Sequence, residues 1–421
     1  MRCERYALDG DPAPLVAQLR GMVSAAASVS EAVAEIIAAV RQRGDAAVLE
    51  YTRALDTGGA EPQPLRVPEH ELDAAAEALE PEVRLALERA VENVEAVAGH
   101  HVELGDGGTR RATHQVRLRR FPVSRAGVYV PSGRAPYPST VVMGVVPARV
   151  AGVEQIAVCA PPGPDGAVSP LIAGACRLAG ATALYRMGGA QSIAALALGT
   201  ETVAPVDVIV GPGNLYVQEA KRQLSGVVGI DGFAGPSDLI VIADPGANPE
   251  PIALDLLAQA EHGDGTIVVG VSRSGALLDT LADQLASAPE TGAAAAMIEV
   301  DGPAGALSLA QAFAPEHLEL IGAEAEALAE RATRAGVVFV GELSGTAFGD
   351  YIAGSNHILP TGGAARFASG LTPATFLRTV AEVTVTEPSE LARAAAPLAR
   401  AEGFELHARS MEARIRDNQP G

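Results

Sequence analysis

Gln259 and His262 stand three residues apart at the end of an apolar run, where one helix face would carry an amide and an imidazole together. The run from Pro251 keeps Ile252, Leu256 and Leu257 at helical spacing, with Pro251 near its entry and Gly263 as its stop. Both side chains have atoms that can ligate a metal ion. The plainer role for a histidine in a last helical turn is to complement the dipole and satisfy an orphan carbonyl. Phe313-Ala314-Pro315-Glu316-His317 precedes an apolar stretch. On a turn, Glu316 and His317 can face one cleft as two bases with different tasks; otherwise they form a solvated pair. Gly349-Asp350-Tyr351 and Gly354-Ser355-Asn356-His357 add a hard oxygen ligand and another imidazole. Ala401-Glu402-Gly403 leads to His407 in a charged segment, where a surface role is the default. Of the eight histidines, His262, His317, His357 and His407 all lie in the second half, each near a carboxylate or amide. A glutamine, two histidines and an aspartate make an N/O ligand set for zinc, although glutamine is an unusual ligand.

These groups need a scaffold. A chain of 421 residues is too long for one ordinary core, so two or more domains are expected. With 48% hydrophobic and 19% charged residues it falls among soluble globular proteins. No apolar run is long enough to span a bilayer. Met1-Arg2-Cys3-Glu4-Arg5 opens no secretory segment, and Cys3, Cys159 and Cys176 form no zinc or redox spacing. A reducing cytoplasm is the expected location. The net charge of -20 argues against nucleic acid as a partner. The basic run Arg110-Arg111 to Arg117-Leu118-Arg119-Arg120 reads as a solvated strand edge.

The opening is expected to be helical. Ser28 and Glu31 have capping-box spacing, followed by a helix bearing Val33, Ile36, Ile37 and Val40 and ending at Gly44. Further helices are expected over 69–79 and 81–98. His70, His100, His101 and His114 read as surface histidines. From Gly127 strands and helices alternate, with strands expected over 127–130, 155–160, 183–187 and 206–210. After a linker at Asp231 to Pro236, strands are expected over 239–243, 266–271, 296–300, 318–321 and 337–340. Continuous apolar strands separated by helices indicate parallel sheets covered on both faces. The region after Phe376 reads as small, mostly helical, and dependent on a partner chain for burial. Ligands of open parallel sheets bind beyond the strands' carboxyl ends. Gly188-Gly189-Ala190-Gln191 and Gly211-Pro212-Gly213-Asn214 are placed there, though neither is the dinucleotide fingerprint, and plain tight turns explain them equally well.

Over nearly its whole length the chain resembles histidinol dehydrogenases. The resemblance rests on Gly127-Val128-Tyr129-Val130-Pro131, Tyr137-Pro138-Ser139-Thr140, both glycine turns and Ala234-Gly235-Pro236-Ser237. It continues through Leu256 to Gly263, Pro315-Glu316-His317-Leu318-Glu319, Gly349-Asp350-Tyr351, Asn356-His357, Leu359-Pro360-Thr361 and Ala401-Glu402-Gly403 with His407. The family often has Pro-Gly-Gly at Pro131-Ser132-Gly133 and Asn at Gly144, and the match around His407 is looser.

The resemblance implies a zinc-dependent enzyme taking L-histidinol to L-histidine through L-histidinal, by successive hydride transfers to two NAD⁺. It implies zinc held by Gln259, His262, Asp350 and His407, and NAD contacted by Tyr129, Gln191 and Asn214. Ser237, His357 and Glu402 would join the zinc ligands in binding substrate. His317, itself at the substrate, would be the general base, and Glu316 would activate water. The implied architecture is α/β, with two incomplete Rossmann-like domains, a helical N-terminal segment and a small helical C-terminal region. The corresponding division is 1–24 as N-terminal segment, 25–128 with 238–375 as the zinc and substrate domain, 129–237 as the NAD side, and 376–421 as the C-terminal region. The family's homodimer implies that this last region completes the neighbouring subunit's site.

Three other readings compete. Relatives within the superfamily oxidise other small alcohols, such as sulfonated diols; His357, Glu402 and His407 favour histidinol. A zinc hydrolase would use the same ligands with Glu316 activating water. A non-catalytic two-domain binding protein would not need Glu316 and His317.

Overall fold

Alternating apolar strands and helices give two parallel sheets, as the sequence pattern requires. The structure is a computed structural model describing residues 1, 3–23, 28–102, 107–131, 135–233, 235 and 237–415. Arg2, Ser132, Gly133, Ala234 and Pro236, named above, lie outside the described residues. In chain order, β1 (Cys3–Ala7) and α1 (Ala13–Arg20) precede four helices, α2 (Ser30–Arg43), α3 (Asp45–Leu55), α4 (Glu69–Glu77) and α5 (Pro81–Val102). Then come β2 (Gly107–Arg110), β3 (His114–Pro122), β4 (Arg125–Tyr129), α6 (Pro138–Val150), β5 (Gln155–Ala160), α7 (Pro170–Ala179), β6 (Ala183–Arg186) and α8 (Gly189–Leu198). They are followed by β7 (Val208–Val210), α9 (Leu215–Leu224), β8 (Gly229–Ile230), β9 (Asp238–Ala243), α10 (Pro249–Ala260), β10 (Ile267–Ser272), α11 (Gly275–Ser287) and β11 (Ala294–Glu299). The last are α12 (Pro303–Phe313), β12 (His317–Ile321), α13 (Ala323–Glu326), β13 (Val337–Val340), α14 (Thr346–Tyr351), β14 (Leu377–Val385), α15 (Pro388–Ala401) and α16 (Glu405–Glu412).

The first compact unit is Met1–His101 with Val123–Phe376, and it holds both parallel sheets. One has six strands in the order β1-β11-β10-β9-β12-β13, the other five in the order β6-β5-β4-β7-β8. Alternation along β9 separates two cores. Ile240 and Ile242 pack with Leu19, Leu309 and Phe313 on one face, while Leu239 and Val241 pack with Leu256, Leu278 and Leu281 on the other. Helices α2 and α3 bury Val33, Ile36, Val40 and Val48 in one core with Ile193 and Leu196 of α8 and Ile209 of the five-stranded sheet. The division at 25–128 grouped these helices with 238–375; their apolar faces instead complete the other sheet's core.

Other expectations are corrected. The opening contributes a strand, since β1 pairs with β11 at the edge of the six-stranded sheet. No capping box forms: α2 starts at Ser30 behind Val29, and the Ser28 hydroxyl accepts the Ser30 N–H at 3.4 Å. Helix α10 starts at Pro249 under the Asn248 cap, not at Pro251.

The second unit, Val102–Pro122 with Leu377–Gly421, begins its C-terminal part with strand, not helix. Strand β14 pairs antiparallel with β3, making β3 the centre of a three-stranded sheet. Arg117 and Arg119 are therefore on a central strand, each 3.5 Å from Glu382. His114 is half-buried against Thr113, whereas His70, His100 and His101 are exposed. Among the described residues, no helix is long and apolar enough to cross a membrane.

Candidate active site

Two neighbouring strands of the six-stranded sheet, β9 and β12, begin side by side, and their amino ends carry the acidic cluster. Glu316 and His317 thus stand where a strand starts, as their place before an apolar stretch suggested. His317 is in register with Leu239, which sets Glu316 beside Asp238. The Glu316 N–H donates to Asp238 Oδ1 at 2.6 Å, and the Asp238 N–H donates to Glu316 Oε2 at 3.2 Å. Ala314, closing α12, adopts φ 52° and turns the chain so that Glu316 and His317 enter the same cleft. A non-glycine residue there is strained, and such strain clusters at functional sites.

A hydrogen-bonded chain joins the predicted residues. The amide of Gln259 donates to the Ser237 hydroxyl, which donates to Glu316 Oε2. Glu316 Oε2 lies 3.7 Å from His317 Nδ1, and His317 Nε2 lies 3.5 Å from Asp350 Oδ1. Both nitrogens of the buried His317 ring lack a hydrogen-bond partner. The ring stacks on Phe339 with centroids 6.1 Å apart. His357 Nδ1 pairs with the Asp350 carbonyl at 3.0 Å, and its Nε2 with Thr140 Oγ1 at 3.1 Å. His262 sits just beyond α10, its Nδ1 2.9 Å from the Gln259 carbonyl. The orphan-carbonyl role is thus real, and it leaves Nε2 facing away.

The electrostatics follow from burial. Desolvation pushes the Glu316 carboxyl up to about 7, against the pull of His317 and the Ser237 hydrogen bond. Burial opposes charge on His317, but Asp350 and Glu316 outweigh it and raise the imidazole to about 9. Burial likewise opposes charge on Asp350, and His317 outweighs it, holding that carboxyl below its usual range. Desolvation lowers His357. Asp350 and Glu316 therefore favour the protonated form of His317, while burial leaves Glu316 less acidic than an exposed carboxyl.

The five-stranded sheet carries the second group at the carboxyl ends, where its strand order reverses between β4 and β7. Tyr129 ends β4, and its phenol oxygen accepts the Gly189 N–H at 3.3 Å. Gly211 follows β7 with φ 114°, and a Cβ there would fall 2.1 Å from the Tyr129 carbonyl oxygen. Asn214 caps α9, accepting from the N–H groups of Tyr216 and Val217. Gln191 is fully buried; its amide donates to Asp56 Oδ2 at 3.3 Å and its Oε1 has no partner. Beneath this turn, buried Lys221 donates to the Gly211 carbonyl and pairs with Asp231 at 2.8 Å. Asp231 Oδ2 accepts the Gly211 N–H at 2.7 Å.

Glu402 and His407 belong to the second unit. Glu402 caps α15 and His407 lies on α16, its ring 5.1 Å from that of Phe404; both are exposed. Asp56, Asp238 and the Lys221–Asp231 pair join these sites without a motif of their own, and Thr140 enters through its contact with His357. Acidic or hydroxyl side chains beside a strand end or glycine turn were the available signal, but only register and tertiary contact single them out.

Among the described residues, no three His, Cys, Asp or Glu side chains are grouped to hold a metal. The first unit instead supplies two such groups, His262 and Asp350, with the Gln259 amide. These residues fit zinc chemically: the amide oxygen of Gln259 is its remaining acceptor, the His262 ring is fixed through Nδ1, and the Asp350 carboxyl is held below its usual range.

A sequence model of the family described as "Histidinol dehydrogenase" matches residues 20–415. A histidinol dehydrogenase from Parasynechococcus marenigrum (strain WH8102) is 45% identical over 395 residues, covering 90% of each chain. One from Cereibacter sphaeroides is 44% identical and covers 92% of each. The crystal structure of histidinol dehydrogenase from Elizabethkingia anophelis superposes with TM-score 0.90 at 30% identity, covering 98% of each chain.

Proposed function

Because the chain belongs to the histidinol dehydrogenase family, enzymes of the last step of histidine biosynthesis, we propose that the Glu316–His317 cleft performs the proton transfers of histidinol oxidation. The observation that carries this reading is the His317 ring, both nitrogens unpartnered, between Glu316 and Asp350.

In the first oxidation the carbinol loses a hydride to NAD⁺ and its hydroxyl proton to His317. Water then adds to the aldehyde, and transfer of a second hydride to a second NAD⁺, with loss of the remaining protons, leaves the carboxylate. His317 takes up the alcohol's proton as the unprotonated imidazole, and Glu316, 3.7 Å away, is the second base beside it. Ionised Glu316 then activates water, steadied by the Ser237 hydroxyl. Gln259, His262, Asp350 and His407 would hold zinc, which would supply a Lewis acid toward the bound substrate. Ser237, His357 and Glu402 complete substrate binding, which orients the carbinol carbon; such positioning is a large part of catalysis. Tyr129, Gln191 and Asn214 hold NAD at the sheet's switch point.

The active form is a homodimer in the cytoplasm, with Glu402 and His407 of one chain completing the other's site. Exposed Leu254, Leu343, Phe348 and Tyr351 on and around α10 and α14 favour burial by a second chain. The deciding experiment follows NADH formation from histidinol after metal is stripped and zinc restored. Activity should vanish and return while the fold persists. Full turnover by demonstrably metal-free protein would overturn the zinc assignment.

A further inference from the structure

Glu319 is among the most buried carboxyls in the first unit, 1% exposed, and the chemistry above does not use it. It lies two residues after His317 on β12, so both side chains project from the same face of the strand. Its Oε1 accepts the N–H of Thr346, the first residue of α14, at 2.9 Å. Gly345, at the N-cap, has no side chain to cap the first turn, so the helix end relies on groups from other elements. Asp255 reaches the same helix end from α10: a Cβ on Gly345 would lie 2.8 Å from Asp255 Oδ1. The other end of this six-residue helix carries Asp350, facing His317 Nε2. Between the two ends, Gly349 packs so closely on Phe339 that a Cβ would fall 2.5 Å from the ring, and Phe339 stacks on His317.

One strand thus presents His317 directly and, two residues on, fixes the helix bearing its partner. We propose that Glu319 is a positioning residue that, by accepting the first amide of α14, sets where Asp350 stands against His317. The inference rests on Asp350 and His317 having the roles given above. Burial, then Asp255, pushes the Glu319 carboxyl up to about 8, so a neutral side chain suffices for the cap.

The test compares Glu319→Gln, Glu319→Leu, Thr346→Pro and Asp350→Ala in the full-length protein. Glutamine keeps an accepting oxygen and should behave as the parent. Leucine removes the acceptor. Proline at the first helical position removes the donor without opening a core cavity, so it serves if the leucine variant fails to fold. Both disruptive changes should weaken zinc affinity, measured by chelator competition without turnover, by roughly 10–100-fold. They should lower kcat by on the order of 10²-fold and leave the KM for NAD⁺ unchanged. In Glu319→Leu, hydrogen exchange at the Thr346 amide should accelerate. Rapid exchange with zinc affinity and kcat within about twofold of the parent would overturn the positioning role. If Asp350→Ala also left zinc affinity and kcat intact, the assigned role of Asp350 would fall instead.

Discussion

Glu316 Oε2 lies 3.7 Å from His317 Nδ1, although adjacent side chains on a regular strand point to opposite faces. The exception arises because Glu316 precedes β12 and follows the left-handed Ala314, so one residue belongs to a turn and the other to the sheet. Reciprocal hydrogen bonds with Asp238 hold the turn in register with β9. Two proton carriers are thereby fixed 3.7 Å apart where β12 starts beside β9.

The shift of Glu316 has a pH signature. Its carboxyl must be ionised to activate water, and burial holds it up to about 7. Aldehyde conversion should therefore rise with pH through about 7 and fall about tenfold per unit below it. Because the folded-state value exceeds the ordinary 4.5, the stabilising contribution is full below about 4.5 and is lost as pH rises through 7. Urea midpoints of parent and Glu316→Gln, compared at pH 5 and 7.5, should show the parent losing more stability. A parent that lost no more than the variant would contradict the raised carboxyl.

Most of this scaffold was legible as pattern. Apolar runs at 155–160 and 337–340 match β5 and β13 to the residue; β5 is an inner, largely buried strand, and β13 an edge strand whose apolar run still marks it. Cys3–Ala7 was missed: it is a half-buried edge strand whose alternation spans only five residues. Strand β14, largely exposed, carries no buried pattern for a sequence to display. At the site, Gln259, His262 and Glu316–His317 stood out through residue type and spacing. Asp238, Asp56 and Lys221 did not, since register and long-range contact give them their roles.

Lys221 tests whether the glycine turn depends on its buried ion pair. Lys221→Met keeps the apolar stem but leaves Asp231 and the Gly211 carbonyl without their cation. Removing one partner of a buried pair typically costs about 3–5 kcal/mol. The variant should show a lower denaturation midpoint and weaker NAD⁺ binding by calorimetry. Retained stability would mean that Asp231 is already satisfied without the ammonium group.

The shared site can be tested by mixing chains. His317→Ala and His407→Ala proteins, each inactive alone, should regain activity when unfolded and refolded together, because mixed dimers contain one site with both residues intact. Failure to recover, with exchange of subunits demonstrated by mass, would mean that each site draws on a single chain.

The two bases should separate kinetically. Glu316→Gln keeps the shape and an accepting oxygen for Ser237 and Asp238 but cannot take up a proton. Its defect should fall on hydration of the aldehyde, where water must be deprotonated, and much less on oxidation of the alcohol. His317→Asn removes the imidazole between Glu316 and Asp350, so both oxidations should slow. A positioned general base contributes roughly 10²–10⁴ in rate, large enough to resolve each step. Single-turnover reactions started from histidinol or from histidinal, with each NADH timed separately, make the comparison. Equal slowing of both steps by Glu316→Gln would reduce Glu316 to orienting Ser237 and leave His317 as the sole base.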